Sequence, residues 1–154
     1  MTGIAISSGA FEDGGQIPRK HGYRNENRSP QLSFSGTVPP GTRSMVLIMD
    51  DPDAMKPAGK VWSHWIMWNI PPDTAQIGEG ASAPRGAVEG TTDFGSTGYG
   101  GPAPPDGEHT YVFALYALDA ELDLPASATK GQLEKAVKPH VLAKAELRGR
   151  YSPD

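Results

Sequence analysis

The sequence predicts a mostly β protein: an antiparallel β-sandwich with one or two short helices, the main one near the C-terminus, in a single domain over residues 1–154. Three observations lead there. Short apolar runs recur between turn signals, the pattern of strands covered on both faces. The 19 glycines and 15 prolines, roughly a fifth of the chain, are spread between those runs, so they read as turns and crossings and not as a disordered tract. Only one stretch, after residue 128, carries a helical stripe behind a capping signal.

In chain order, the first 43 residues are polar and punctuated, with Gln31-Leu32-Ser33-Phe34-Ser35 alternating as a half-buried strand does. Ser44-Met45-Val46-Leu47-Ile48-Met49 is an unbroken apolar strand, stopped by Asp50-Asp51-Pro52-Asp53. The next strand is Val61–Ile70. A period of two places Trp62, His64, Ile66, Trp68 and Ile70 on one face and Ser63, Trp65, Met67 and Asn69 on the other. Pro71-Pro72 ends it, because proline has no N–H for the ladder. Residues 73–108 are mostly loop, and Thr110–Leu118 is a third buried strand, with His109 and Tyr111 on one side of it. Thr129-Lys130-Gly131-Gln132 fits a capping box, followed by a stripe of Leu133, Ala136, Val137 and Val141 that Pro139 should kink or restart. Glu146–Tyr151 closes the chain as a short edge strand.

Composition narrows the function. Fourteen basic against 18 acidic residues give a net charge of -4, and no basic stripe is present, which argues against a nucleic-acid footprint. The absence of Cys removes disulfides, thiolate metal sites and cysteine nucleophiles. Met1–Ser8 has neither the basic start nor the apolar core of a signal peptide, and no run approaches the ~18 apolar residues of a membrane helix. The expected location is cytoplasmic, with no transmembrane segment.

Chemistry is sought in the long crossings, since loops of that length in a small domain are usually functional. Asp51 and Asp53 flank Pro52 at the end of a buried strand, as turn residues or as carboxylates at a cavity mouth. His64 shares a run with Trp62 and Trp68, as a core residue or as a donor whose charge a carboxylate sets. His109 and Tyr111, at i and i+2, suit two polar tips converging on one ligand. The Tyr99–Pro105 tract offers close backbone approach and N–H groups that can surround an anion. His21 and His140 receive no role.

Taken in order, Asp51-Pro52-Asp53-Ala54, Trp62-x-His64-Trp65, Tyr99-Gly100-Gly101-Pro102-x-Pro104-Pro105 and Gly107-x-His109-x-Tyr111 resemble the motifs of the phosphatidylethanolamine-binding protein family. They are most similar to its short bacterial branch, the Raf kinase inhibitor-like proteins. The resemblance runs from Asn27-x-Ser29-Pro30 to Ala145-Glu146-Leu147-x-Gly149-x-Tyr151. It implies a Greek-key sandwich with a small open pocket, lined by Asp51, His64, His109 and Tyr111 and walled by Gly101-Pro102. Met55 departs from the family's usual proline and Thr110 from its common arginine, and the extra C-terminal helix of the mammalian branch is expected to be missing.

The expected ligand site therefore comprises Asp51, Asp53, Trp62, His64, Tyr99, Gly101, Pro102, Pro105, His109 and Tyr111, with no catalytic residue, metal or cofactor assigned. The expected ligand is a small anion such as phosphate, phosphorylethanolamine or a carboxylate. Both imidazoles and the Tyr111 hydroxyl would donate to it while Asp51 orients a ring. As a binding module the protein would act on a signalling partner such as a kinase, and a homodimer fits the bacterial branch. The alternative is a hydrolase of phosphate or carboxyl esters, with His64 and His109 as acid and base; a two-His-one-carboxylate metal triad is a third reading.

Overall fold

The computed structural model describes residues 3–153; Met1, Thr2 and Asp154, the outer ends of the expected leader and domain readings, lie outside the described residues. The apolar runs become strands in the expected places. In chain order the elements are β1 (Gly3–Ser7), β2 (Gly15–Gln16), β3 (Leu32–Thr37), β4 (Ser44–Asp51), α1 (Met55–Ala58), β5 (Trp62–Ile70), β6 (Gln76–Ile77), β7 (Val88–Glu89), β8 (His109–Leu118), α2 (Lys130–Val137) and β9 (Val141–Tyr151). Six strands form one sheet in the order β2-β9-β8-β4-β5-β7, and three form the other in the order β1-β3-β6. Every pairing is antiparallel except the short parallel contact of β2 with β9.

The larger sheet is covered on both faces, which is why β4 reads as unbroken apolar sequence. One face packs Met45, Leu47 and Met49 against Leu32, Phe34 and Ile77 of the smaller sheet, with Trp65, Met67, Phe113 and Leu147 beside them. The other face carries Val46, Ile48, Ile66 and Trp68 beneath Leu133 and Val137 of α2. That helix begins where the capping box predicts, the Thr129 N–H donating to Gln132 Oε1 at 3.0 Å.

Three expectations need correction. Pro139 ends α2 outright: the helix stops at Val137, a 3-10 turn spans Lys138–His140, and Val141 is extended and exposed instead of continuing the helical stripe. A proline there removes the N–H the next turn requires. The closing strand is accordingly not a short edge piece but eleven residues long, paired with β8 from Val141 to Tyr151.

The third correction bears on the site. Strict alternation along β5 fails twice, because β5 carries an extra residue at two points in its pairing with β4. Near its end, Asn69 takes a left-handed φ of 57°, and Ile70 returns to the face of Trp65 and Met67. The Asn69 side chain secures this bend by exchanging hydrogen bonds with the Leu122 backbone at 2.7 and 2.8 Å. Near its start, Met49 pairs with Trp65 but Asp50 pairs with Ser63, leaving His64 as the extra residue. His64 is thereby turned away from Ile66 and Trp68, and its ring packs edge-on against Tyr111, 5.1 Å between centroids.

Candidate functional site

β4, β5 and β8 deliver their site residues to one end of the larger sheet. Asp51 ends β4 opposite Trp62 at the start of β5, and Pro52 turns the chain out of the sheet into a 3-10 turn and α1. His109 opens β8 alongside. Between them lies a mostly apolar, open pocket of about 200 Å³, lined by Asp51, Ala54, Pro57, Ala58, Trp62, His64, Phe94, Ala103, Pro105 and His109.

Five of the ten expected residues line it: Asp51, Trp62, His64, Pro105 and His109. Tyr111 lies beneath it, fully buried, its hydroxyl without a hydrogen-bond partner; Asp51 Oδ1 is likewise buried and unpartnered. The other four stand elsewhere. Asp53 does turn work, its Oδ2 accepting the Thr110 N–H at 2.8 Å and tying the 3-10 turn to β8. Tyr99 donates its hydroxyl to the His21 carbonyl at 2.8 Å and lines a different, polar cavity with Asn27, Ser29 and Glu89. Gly101 donates its N–H to Asn27 Oδ1 at 2.7 Å, and the Pro102 carbonyl accepts the Tyr23 N–H at 2.9 Å. The Gly100 N–H goes to the His64 carbonyl. These loop amides, expected to surround an anion, are therefore consumed in holding the loop down.

Two residues that touch the pocket's histidines escaped the sequence reading. Phe94 stacks on Tyr23 at 4.3 Å and meets both Trp62 and His64 edge-on. It lies in a loop with no periodicity to mark it. Asp106 stands three residues before His109 in a Pro-Pro-Asp-Gly turn, where an aspartate reads as ordinary turn chemistry.

The two imidazoles are chemically unlike. His64 Nδ1 donates to the Gly100 carbonyl at 2.7 Å, which leaves the lone pair on Nε2. Burial pushes its pKa down to about 4, so the ring is neutral at pH 7. His109 is gripped from both ends: Nδ1 lies 2.6 Å from Asp51 Oδ2 and Nε2 2.6 Å from Asp106 Oδ1. Both nitrogens donating requires the imidazolium. Burial opposes that charge, but the two carboxylates outweigh it and raise the His109 pKa. Burial, with the Asp51 charge beside it, holds the Tyr111 phenol protonated, well above its ordinary range.

The expectation of two donating imidazoles is thus corrected. Only His109 has the geometry of a cation, held between the Asp51 and Asp106 carboxyl groups. Among the described residues no group of three His, Asp or Glu side chains is placed to hold a metal ion. Nor is any helix among them long and apolar enough to cross a membrane.

Comparison with known proteins places this geometry in a wider set. Residues 7–152 match the family model described as phosphatidylethanolamine-binding protein. The chain is similar to the UPF0098 protein of Methanothermobacter thermautotrophicus, 45% identical with 95% of this chain and 97% of that protein covered. It is 39% identical to the Escherichia coli UPF0098 protein YbhB, covering 97% of this chain and all of that one. Two crystal structures share the fold. One, from Chlamydia trachomatis, is titled a putative phosphatidylethanolamine-binding protein homologue; it superposes with a TM-score of 0.92 at 40% identity over the whole of both chains. The other is Escherichia coli YbcL, with a TM-score of 0.90 at 31% identity over 98% of this chain and 99% of that one.

Proposed function

The chain belongs to the phosphatidylethanolamine-binding protein family, and from that premise we propose that its pocket is a ligand-binding site for a small anion, which it takes by a phosphate or carboxylate group. The observation that carries this reading is His109. Its ring lines the pocket and is held as a cation between two carboxylates, Asp51 on Nδ1 and, on Nε2, Asp106, the neighbour of the pocket-lining Pro105. A group of that geometry gives an anion a charge-assisted hydrogen bond, roughly 1.5–3 kcal/mol before desolvation is subtracted. The apolar floor of Trp62, Phe94 and Ala103 sets the size of what accompanies the anion. With one cation and few other free donors, affinity is expected to lie in the range of about micromolar to millimolar.

The test is an NMR titration with inorganic phosphate and with phosphorylethanolamine at pH 7, following the imidazole signals of all four histidines. His109 and His64 are expected to shift, and His21 and His140 to stay still. His109→Ala is expected to weaken phosphate binding at least tenfold, and binding unchanged in that variant would remove the proposed role of the pocket.

A further inference from the structure

The outer N–H of His109 is occupied, and by a group unlike its inner partner. Asp51 sits at the end of an eight-residue strand paired on both sides, and its side chain is 5% exposed. It cannot leave without disrupting the sheet. The Asp106 side chain is 40% exposed and stands on the loop between β7 and β8, followed by Gly107, around which there is open space. Among the described residues its carboxylate has a single hydrogen-bond partner, His109 Nε2. His109 itself is buried, and Pro105, the residue before Asp106 in this loop, lines the pocket beside it.

Resting on the anion-binding reading above, we propose that Asp106 is a tethered competitor: its carboxylate holds the position on His109 Nε2 that the ligand's anionic group takes, and it swings out as the ligand enters. Charge makes the exchange obligatory. His109 already faces two carboxylates, and a third anionic group beside them would set like charges a few ångströms apart in a poorly screened pocket. Replacing Asp106 by a monoanionic ligand instead leaves the local charge unchanged. A carboxylate on a short tether also competes at high effective concentration.

The consequence is an affinity threshold that weak ligands fail to reach. The apparent Kd equals the intrinsic Kd divided by the fraction of molecules with Asp106 swung out, so an open fraction of about one in ten weakens every ligand tenfold. Simple monocarboxylates, which offer His109 nothing that Asp106 does not, are held off. A phosphate group, with more charge and more acceptor oxygens, displaces it.

The test compares wild type with Asp106→Asn and Asp106→Ala, titrated with inorganic phosphate and with acetate at pH 7 by calorimetry and by the His109 imidazole signals. Both variants are expected to bind phosphate about tenfold or more tightly than wild type, and acetate binding is expected to emerge in them. The His109 pKa, read by NMR without ligand, should fall in both, which reports the contact itself. If wild-type His109 responds to phosphate but the variants bind equally or more weakly, Asp106 is not a competitor and the proposal fails while the anion reading stands. If phosphate moves the His109 signals in none of the three proteins, the anion reading fails and takes the proposal with it.

Discussion

Acidifying the protein from pH 7 to pH 4 is expected to lower its stability by about 3 kcal/mol through His64 alone, with about 2 kcal/mol of that gone by pH 5. The side chain is buried, neutral and bonded through Nδ1 to the Gly100 carbonyl, and burial depresses its pKa to about 4 against an unfolded value of 6.5. Between those values the unfolded chain binds a proton that the folded chain refuses, so stability falls as pH falls through this window. His21, also depressed by burial, acts in the same direction. His109 has the opposite sign: its raised pKa contributes stability that is complete below pH 6.5 and lost as pH rises through the folded value. Asp50 and Asp51, raised by burial, likewise favour the folded state at low pH and blunt the acid limb at its lower end. His64→Gln isolates the dominant contribution, since an amide can donate to Gly100 but does not titrate. Urea denaturation at pH 7, 6, 5 and 4.5 should give a markedly shallower acid limb in the variant, even if it is less stable at pH 7. Parallel limbs in the two proteins would show that His64 is not the group responsible.

Much of this fold was legible because local signals and burial agree. β4 announces itself by six consecutive residues that pack on two faces, and α2 by a capping box that forms as written. Most of the failures share a cause, a partner distant in sequence. The two extra residues in β5 are defined only against β4, so period-two counting from Trp62 to Ile70 misplaced the ends of the strand. The length of β9 rests on ten registered pairs with β8, which override a weak helical stripe once Pro139 has stopped α2. At the pocket, Asp51, Trp62, His64 and His109 could be named because strand ends point them inward, and Pro105 came with the loop motif. Their charges could not. Which imidazole is the cation depends on Gly100 taking one ring and Asp106 the other, and neither contact leaves a trace in spacing. Tyr99 and Gly101 were identified as special for a sound reason, but their special contacts are with the segment of residues 21–27 and not with the pocket.

That segment makes Gly101 the second sensitive point. A Cβ placed on Gly101 would overlap the His21 carbonyl oxygen and come within 2.8 Å of the Tyr23 nitrogen and 2.9 Å of the Gly22 carbonyl carbon. All three are backbone atoms, so no side-chain rotation relieves the overlap, and the two chain segments must part. Separation strains or breaks the bonds from Gly101 N–H to Asn27 and from Tyr23 N–H to Pro102. Overpacking of this kind costs about 1–3 kcal/mol, and each lost hydrogen bond adds about 1 kcal/mol. Gly101→Ala is therefore expected to destabilise the protein by about 3 kcal/mol, a fall in Tm of roughly 6–12 °C for a chain of this size. Gly107, six residues on in the same loop, supplies the contrast. Nothing lies within 4 Å of a Cβ placed there, and its φ is outside the left-handed range. Gly107→Ala is expected to be neutral or to stabilise by up to about 1 kcal/mol, by restricting the unfolded chain. Thermal and urea denaturation of the two variants side by side decides the matter. If Gly101→Ala unfolds with the wild type, close packing against residues 21–23 is not what requires glycine at that position. The tie also reaches the pocket, because Tyr23 stacks on Phe94 and Gly100 holds His64. Parting these segments displaces both, and phosphate affinity at the pocket should fall together with stability in Gly101→Ala while remaining at the wild-type level in His140→Ala, whose side chain pairs with Asp119 on the protein's surface.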